Sequence, residues 1–326
     1  MRLLILVLVL LAAGCTSHSR VTSQTFTYDV VDSSGGHTRQ VIDIQRPYRA
    51  RTLTFKDGAS QGGFLWDETG TYTVSPDGSI AQTAAIAPGF PGPAGDLALA
   101  LPVALRQRRV VRHGTSTSGG KQCELWESSD PLDSGSPFAP PGQTTAESCV
   151  DARGVILSER WSGDTGLLQA RTLVSTSTGP SSLYGGKTPQ PLASPASVVK
   201  PSTAAELSKL LQIPNPAGPL GLRPDKAVAA LDVDSARQGY AREAGVFTWV
   251  GGGHLAVVRV ERDLESGGGR TIRGESVPLG QLGTGHLEPV LAGLRVLVEG
   301  PRGLRLIATA DLPETELLSW LRSLSF

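Results

Sequence analysis

The chain has 326 residues, with 30 Lys and Arg against 30 Asp and Glu and a formal net charge of zero. No whole-molecule field of one sign draws it to nucleic acid or to a strongly charged substrate, and 39% hydrophobic content excludes general disorder. Thirty-nine glycines and 23 prolines beside only 18% charged residues indicate a strand- and loop-rich protein, long enough that two domains are the default expectation.

Arg2 precedes an unbroken apolar run from Leu3 to Leu11, which leads into Ala12-Ala13-Gly14-Cys15. The run is about nine residues, well short of the roughly 20 that span a bilayer as a helix, so it predicts an export signal. Its end resembles the bacterial lipobox, in which the cysteine receives a diacylglycerol and becomes the new N-terminus. Cys15 is then the lipidation site, membrane lipid is the first partner, and the expected location is the cell envelope outside the cytoplasm. An ordinary signal peptide with a chance cysteine is the alternative, although Leu11 ahead of the small residues fits the lipobox better than the A-x-A rule. With Cys15 assigned to lipid, Cys123 and Cys149 remain as an even pair, which in an oxidising compartment predicts one disulfide. The five histidines are scattered and no two sit at a ligand spacing, so neither a metal nor a cofactor is expected.

After a polar tether, Thr16 to Arg20, Phe26, Tyr28 and Val30 alternate with polar residues, Ser33-Ser34-Gly35-Gly36 supplies a turn, and Arg39 to Ile44 returns as a second strand. Arg49 to Phe55, Gly63 to Asp67 and Gly70 to Val74 continue the series, with Asp77-Gly78 turning the chain again. Short strands with local turns predict an antiparallel meander with one apolar face. Pro88 to Gly95 is a loop, and Asp96 can cap a short helix offering Leu97, Leu99, Leu101 and Leu105 for burial, with Pro102 bending or ending it. Arg106, Arg108, Arg109, Arg112 and His113 form the only dense basic run; it reads either as a solvated helix or strand end or as a patch facing anionic lipid. Cys123 to Glu127 alternates as a strand, and the loop Asp130 to Gly142 returns the chain so that Cys149 can meet Cys123.

The strand series closes near Ser175, and residues 179–201 carry eight prolines and glycines among Ser, Thr and Ala, a semi-extended linker. Thr203-Ala204-Ala205-Glu206 is a capping-box pattern, and Leu207, Leu210 and Leu211 follow at helical spacing. Strands are predicted at Phe247 to Val250, His254 to Val260, Leu294 to Glu299 and Leu304 to Ala308. Asp311-Leu312-Pro313-Glu314 repeats the capping pattern and starts a last helix with Leu317, Trp320, Leu321 and Leu324 on one stripe.

Arg46-Pro47-Tyr48-Arg49-Ala50-Arg51, followed by Gly63-Phe64-Leu65-Trp66 and Tyr72, resembles the early strands of the LolA and RseB superfamily of envelope lipoprotein carriers and sensors. Cys149 to Trp161 resembles its late hairpin, and Thr203 to Pro216 with Leu294 to Leu324 is similar to the small C-terminal domain of envelope-stress and anti-sigma regulatory proteins. The resemblance implies an α+β protein: a highly curved antiparallel half-barrel over residues 20–178, the linker 179–201, and a small α+β domain over residues 202–326. It also implies an apolar cavity, for which Phe26, Tyr28, Phe64, Trp66, Tyr72, Trp126 and Trp161 are the candidate wall. The expected partner is a hydrophobic ligand, an acyl chain or lipoprotein lipid, or alternatively a membrane-bound envelope protein such as an anti-sigma factor. The sequence departs from LolA in having no clear long helix before its first strand.

Gly58-Ala59-Ser60-Gln61-Gly62 matches the G-x-S-x-G elbow of serine hydrolases. Turn residues precede it and a strand follows it, where an elbow needs a strand before and a helix after. Ser60 is therefore kept only as a remote nucleophile and no enzyme is expected. The triple glycines lack a following Lys-Ser/Thr helix start and read as hairpin turns.

Overall fold

The computed structural model describes residues 23–45, 49–67, 70–84, 97–129, 140–191, 198–219, 224–231, 243–251, 254–262, 273–290, 293–300 and 303–325. Cys15, the Arg46-Pro47-Tyr48 segment, Asp96 and the glycines at 267–269 lie outside them. The described residues form two antiparallel sheets.

The first sheet contains β1 (Ser23–Asp32), β2 (His37–Gln45), β3 (Arg49–Lys56), β4 (Ala59–Asp67), β5 (Gly70–Val74), β6 (Ile80–Ala84), β7 (Val110–Ser118), β8 (Lys121–Ser128), β9 (Thr145–Val150), β10 (Ile156–Gly163) and β11 (Gly166–Thr178). Their order is β6-β5-β4-β3-β2-β1-β11-β10-β9-β8-β7, two meanders joined where β1 pairs β11. Between β6 and β7, at the two ends of this order, comes α1 (Leu97–Arg106). The sheet is strongly curved and does not close. Register shifts at Thr27/Tyr28, Thr54/Phe55, Arg112/Gly114 and Trp161/Ser162 mark the bulges that bend it.

Local chemistry sets these strands. The β1–β2 turn closes because the Asp32 carboxylate accepts the backbone N–H of Ser34 and Gly36 at 2.8 and 2.9 Å. In the G-x-S-x-G segment the chain turns at Asp57 and Gly58, Ser60 sits in β4 opposite Phe55, and Gly62 holds φ +83°. A β-carbon at Gly63 would collide with the Thr52 carbonyl oxygen, so the glycines serve a bulged, closely paired hairpin and no elbow helix follows.

Side chains directly opposite in paired strands share a face. Phe26, Ile42, Thr52 and Phe64 therefore form one row on the inner face, with Ile44, Ala50 and Trp66 in the next row on the same side. Most of these join a core with Tyr28, Val30, Trp126 and Ile156 and with Leu97, Ala100, Leu101 and Ala104 of α1. Those four helix positions are i, i+3, i+4 and i+7. Leu105, expected to be buried, is 43% exposed because it falls off that stripe. On the opposite face Leu65, Tyr72, Val74 and Ile80 pack with Leu183, from the segment read as linker.

The second sheet comprises β12 (Val198–Ser202), β13 (Pro224–Leu231), β14 (Glu243–Gly251), β15 (His254–Arg262), β16 (Glu275–Pro278), β17 (Thr284–Val290), β18 (Gly293–Glu299) and β19 (Arg305–Ala310). Its order is β12-β13-β14-β15-β19-β18-β17-β16. It begins four residues ahead of the position expected for the second domain. Among the described residues two α-helices accompany it, α2 (Ala204–Leu211) and α3 (Glu314–Ser323). The capping box is formed: Thr203 Oγ1 accepts the Glu206 N–H, and the Glu206 carboxylate accepts the Thr203 N–H at 2.9 Å. Leu207 and Leu211 are buried, whereas Leu210 is exposed. The α3 stripe of Leu317, Trp320, Leu321 and Leu324 is buried as expected. Its cap differs, since Pro313 occupies the N-cap position. The Asp311 carboxylate instead accepts the Leu255 N–H at 2.7 Å, fixing the start of β15.

Candidate functional site

The face that α1 partly covers carries both a sealed centre and an open groove. At the centre Arg171 is 2% and Glu159 4% exposed. Arg171 Nη2 and Nε donate to Glu159 Oε2 at 2.6 and 3.1 Å, and Nη1 donates to Gln40 Oε1 at 3.2 Å. The guanidinium lies 4.9 Å from the ring centres of both Tyr28 and Trp161. Ser148 Oγ donates to the other Glu159 oxygen at 2.8 Å, and the Tyr28 hydroxyl donates to the Ile156 carbonyl at 2.9 Å. Burial pushes the Tyr28 phenol up to about 12, against the opposing pull of Arg171. A network this well satisfied fills the middle of the concave face.

The groove lies to one side, between α1 and the β7–β8–β9 end of the sheet. It encloses about 530 Å³, within the range of small-molecule sites. Ala98, Leu101, Pro102 and Leu105 form the helix wall, and Cys123, Trp126 and Val150 form the sheet wall. Pro102 does not end α1; it stands inside the helix and on the groove. The rim holds Arg112, Glu124, Thr115, Gln122 and the Asp151 to Gly154 turn. Arg112 is ion-paired to Glu124 and lies 6.0 Å from the Trp126 ring centre. Asp151 shapes its turn by accepting the Arg153 and Val155 N–H groups at 2.9 Å each, while Arg153 Nε and Nη2 donate to its other oxygen at 3.1 and 2.9 Å.

The cavity-wall residues expected from the sequence are thus dispersed. Trp126 lines the groove. Phe26, Tyr28, Trp66 and Trp161 are 6% exposed or less, in the interior of the sheet's inner face. Phe64 shares that face and is 40% exposed, its ring 6.1 Å from that of Trp66. Tyr72 pairs with Leu65 and turns to the opposite face, where it meets Tyr184 edge-on at 6.0 Å. Alternation of period two sets the face of Tyr72 against that of Trp66. Cys123 and Cys149 form a disulfide with Cα atoms 5.4 Å apart, and Cys123 sits in the groove floor. The groove's other walls were hidden because they come from a helix and a turn over fifty residues apart.

The basic run meets neither expectation cleanly. Arg106 donates to Glu275 at 2.8 Å and to Glu314 at 2.9 and 3.1 Å, Gln107 donates to the Leu287 carbonyl at 2.7 Å, and Arg109 reaches the Pro289 carbonyl at 3.4 Å. His113 Nε2 lies 2.8 Å from Glu127. Arg106, Gln107 and Arg109 join the two sheets, while Arg112 and His113 lie against Glu124 and Glu127 of β8. Val103 of α1 belongs to the second sheet's core, and Leu255 belongs to the first sheet's core. The helix is therefore at once groove wall and junction. Among the described residues no group of three or more His, Cys, Asp or Glu side chains could hold a metal ion, and no helix is long and apolar enough to cross a membrane.

Among the described residues, an open curved antiparallel sheet is partly covered by α1, is joined through it to a second sheet, and holds a groove with apolar walls. No known family profile matches the chain and no curated protein matches it in sequence. Among solved structures it is similar to the MucA/MucB complex structure of Pseudomonas aeruginosa, at 11% identity, covering 92% of this chain and 91% of that one with a TM-score of 0.33. It is also similar to the Mycobacterium tuberculosis lipoprotein LppX, at 12% identity over 51% of this chain and 91% of that one, TM-score 0.31. LprF from Mycobacterium bovis matches at 13% identity over 51% of this chain and 89% of that one, TM-score 0.31.

Proposed function

We propose that the protein is a non-enzymatic, lipid-anchored protein of the cell envelope that binds a hydrophobic ligand, an acyl chain or lipoprotein lipid, in the groove beneath α1. The observation that carries this reading is a cavity of about 530 Å³ with Leu101, Leu105, Trp126 and Val150 on facing walls. Leu105 remains 43% exposed on its edge. An apolar cleft of this size with a few polar groups at its mouth favours a ligand with an apolar body. Acylation of Cys15 supports the same reading. Seven residues separate Cys15 from Ser23 at the start of β1, so that end of the sheet lies within roughly 28 Å of the bilayer. Several acyl chains on one cysteine hold a protein there stably. The two sheets act as two domains, with β12 the first strand of the second. Native protein, extracted into organic solvent and analysed by mass spectrometry, is expected to release a stoichiometric lipid and to take one up again after delipidation. Protein that neither retains nor takes up lipid would sink the ligand reading.

A protein-binding sensor, engaging a membrane-bound envelope protein such as an anti-sigma factor, is favoured by one separate observation. Val103, Arg106, Gln107 and Arg109 attach the groove's roof to the second sheet, so a partner on the second sheet would feel the groove's occupancy. Recovery of a single-span membrane protein by pull-down, with no lipid in the extract, would favour this reading over the first.

A further inference from the structure

We propose that the groove selects amphiphiles with an uncharged head group, bearing hydroxyl or ester oxygens, over free carboxylic acids of the same chain length. The inference rests on the ligand reading above and concerns the mouth of the same groove. Three charged residues line the groove, Arg112, Glu124 and Asp151. Arg112 is already committed, ion-paired to Glu124 and laid beside Trp126. Asp151 is neutralised by Arg153, which donates two hydrogen bonds of 2.9 and 3.1 Å to it. An entering carboxylate would lose hydration and find both carboxylates closed into ion pairs, with no uncommitted cation among the lining residues to replace its lost water. A glycerol ester avoids that cost, and Thr115 and Gln122 offer neutral donors and acceptors at the same rim. The basic run that begins at Arg106 gives no counter-argument, because Arg106 is engaged with Glu275 and Glu314 and His113 with Glu127.

The test titrates delipidated wild-type protein with 1-monooleoylglycerol and with oleate at pH 8, read by quenching of tryptophan fluorescence and by calorimetry. The glycerol ester is expected to bind at least about tenfold more tightly. Glu124→Gln, which frees Arg112, is expected to shrink that ratio toward one by strengthening oleate. Equal or tighter binding of oleate to the wild-type protein overturns the inference while leaving the groove as a lipid site. An unchanged ratio in Glu124→Gln overturns the charge argument. Binding of neither probe overturns the ligand reading itself. If Glu124→Gln fails to fold, the wild-type ratio alone decides.

Discussion

On the face covered by α2 and α3 the second sheet closes over a core of Leu, Val, Ile, Ala, Phe and Trp side chains, with its buried charges, Glu261, Glu288, Arg305 and Asp311, outside that core, whereas the first buries an arginine and a glutamate at the centre of its concave face. The second has the side chains of α2 and α3 to seal one face, with Trp249 against Phe247 at 6.1 Å and edge-on to Trp320 at 5.2 Å. Among the described residues one ten-residue helix, α1, lies over the first sheet's eleven strands. The Arg171 network fills the middle of that face, and the groove opens on one side, under α1. Apolar sealing gives a scaffold, while incomplete roofing gives a site.

The largest expected effect comes from breaking the central pair. Arg171→Ala leaves Glu159 buried with the Ser148 hydroxyl as its remaining hydrogen-bond partner, which is expected to cost about 3–5 kcal/mol in urea denaturation. Replacing both members by apolar residues of similar size should be far milder, near neutral, because no uncompensated charge remains. A single substitution as mild as the double one would show that the pair is hydrated in solution. In the second sheet, Leu321→Ala removes a fully buried side chain and is expected to cost about 2–5 kcal/mol. That loss should be the same at pH 8 and pH 11, since its core holds no titrating group.

The first sheet should differ there. Tyr28 carries a phenol pushed up to about 12 from 10.0. The folded state therefore keeps a proton that the unfolded chain gives up, so its stabilising effect is whole below pH 10 and is lost as pH rises toward 12. Wild-type protein is expected to lose about 3 kcal/mol more than Tyr28→Phe across that window, measured by denaturant titration at each pH. Parallel curves for the two proteins would mean that the hydroxyl is solvated in the folded state.

The sequence carried the first sheet's strands legibly because alternation and local turns are short-range signals. Ser33-Ser34-Gly35-Gly36 and Asp77-Gly78 announce their turns, and Thr203 with Glu206 announces α2. The face assigned to each aromatic was harder to read. Tyr72 and Trp66 sit six residues apart, yet β4 and β5 are joined by a turn whose register alone decides that they face opposite ways. The Arg171 network was not visible at all. It gathers Gln40, Ser148, Glu159 and Arg171 from four strands, and a polar residue in an alternating strand carries no mark of burial until pairing is known. The basic run sits exposed at the end of α1 and the start of β7, but its partners were hidden for a similar reason, since Glu275 and Glu314 lie some 170 to 210 positions beyond Arg106.

Those partners set the smallest expected effect. The Arg106 side chain is 44% exposed, with Glu275 at 40% and Glu314 at 30%, so water and salt screen the cluster. Its hydrogen bonds to Glu314 and then Glu275 still hold the guanidinium charge above its ordinary affinity for the proton. Arg106→Ala is therefore expected to lower global stability by less than about 1 kcal/mol. Its consequence should be local, because Val103 continues to hold α1 to the second core one turn away. Amide exchange at the C-terminal turn of α1 and in β16 is expected to quicken, while the interior strands β1, β2 and β15 stay protected. Equal acceleration throughout both sheets would show that the clamp carries the junction and that the apolar interlock of Val103 and Leu255 does not.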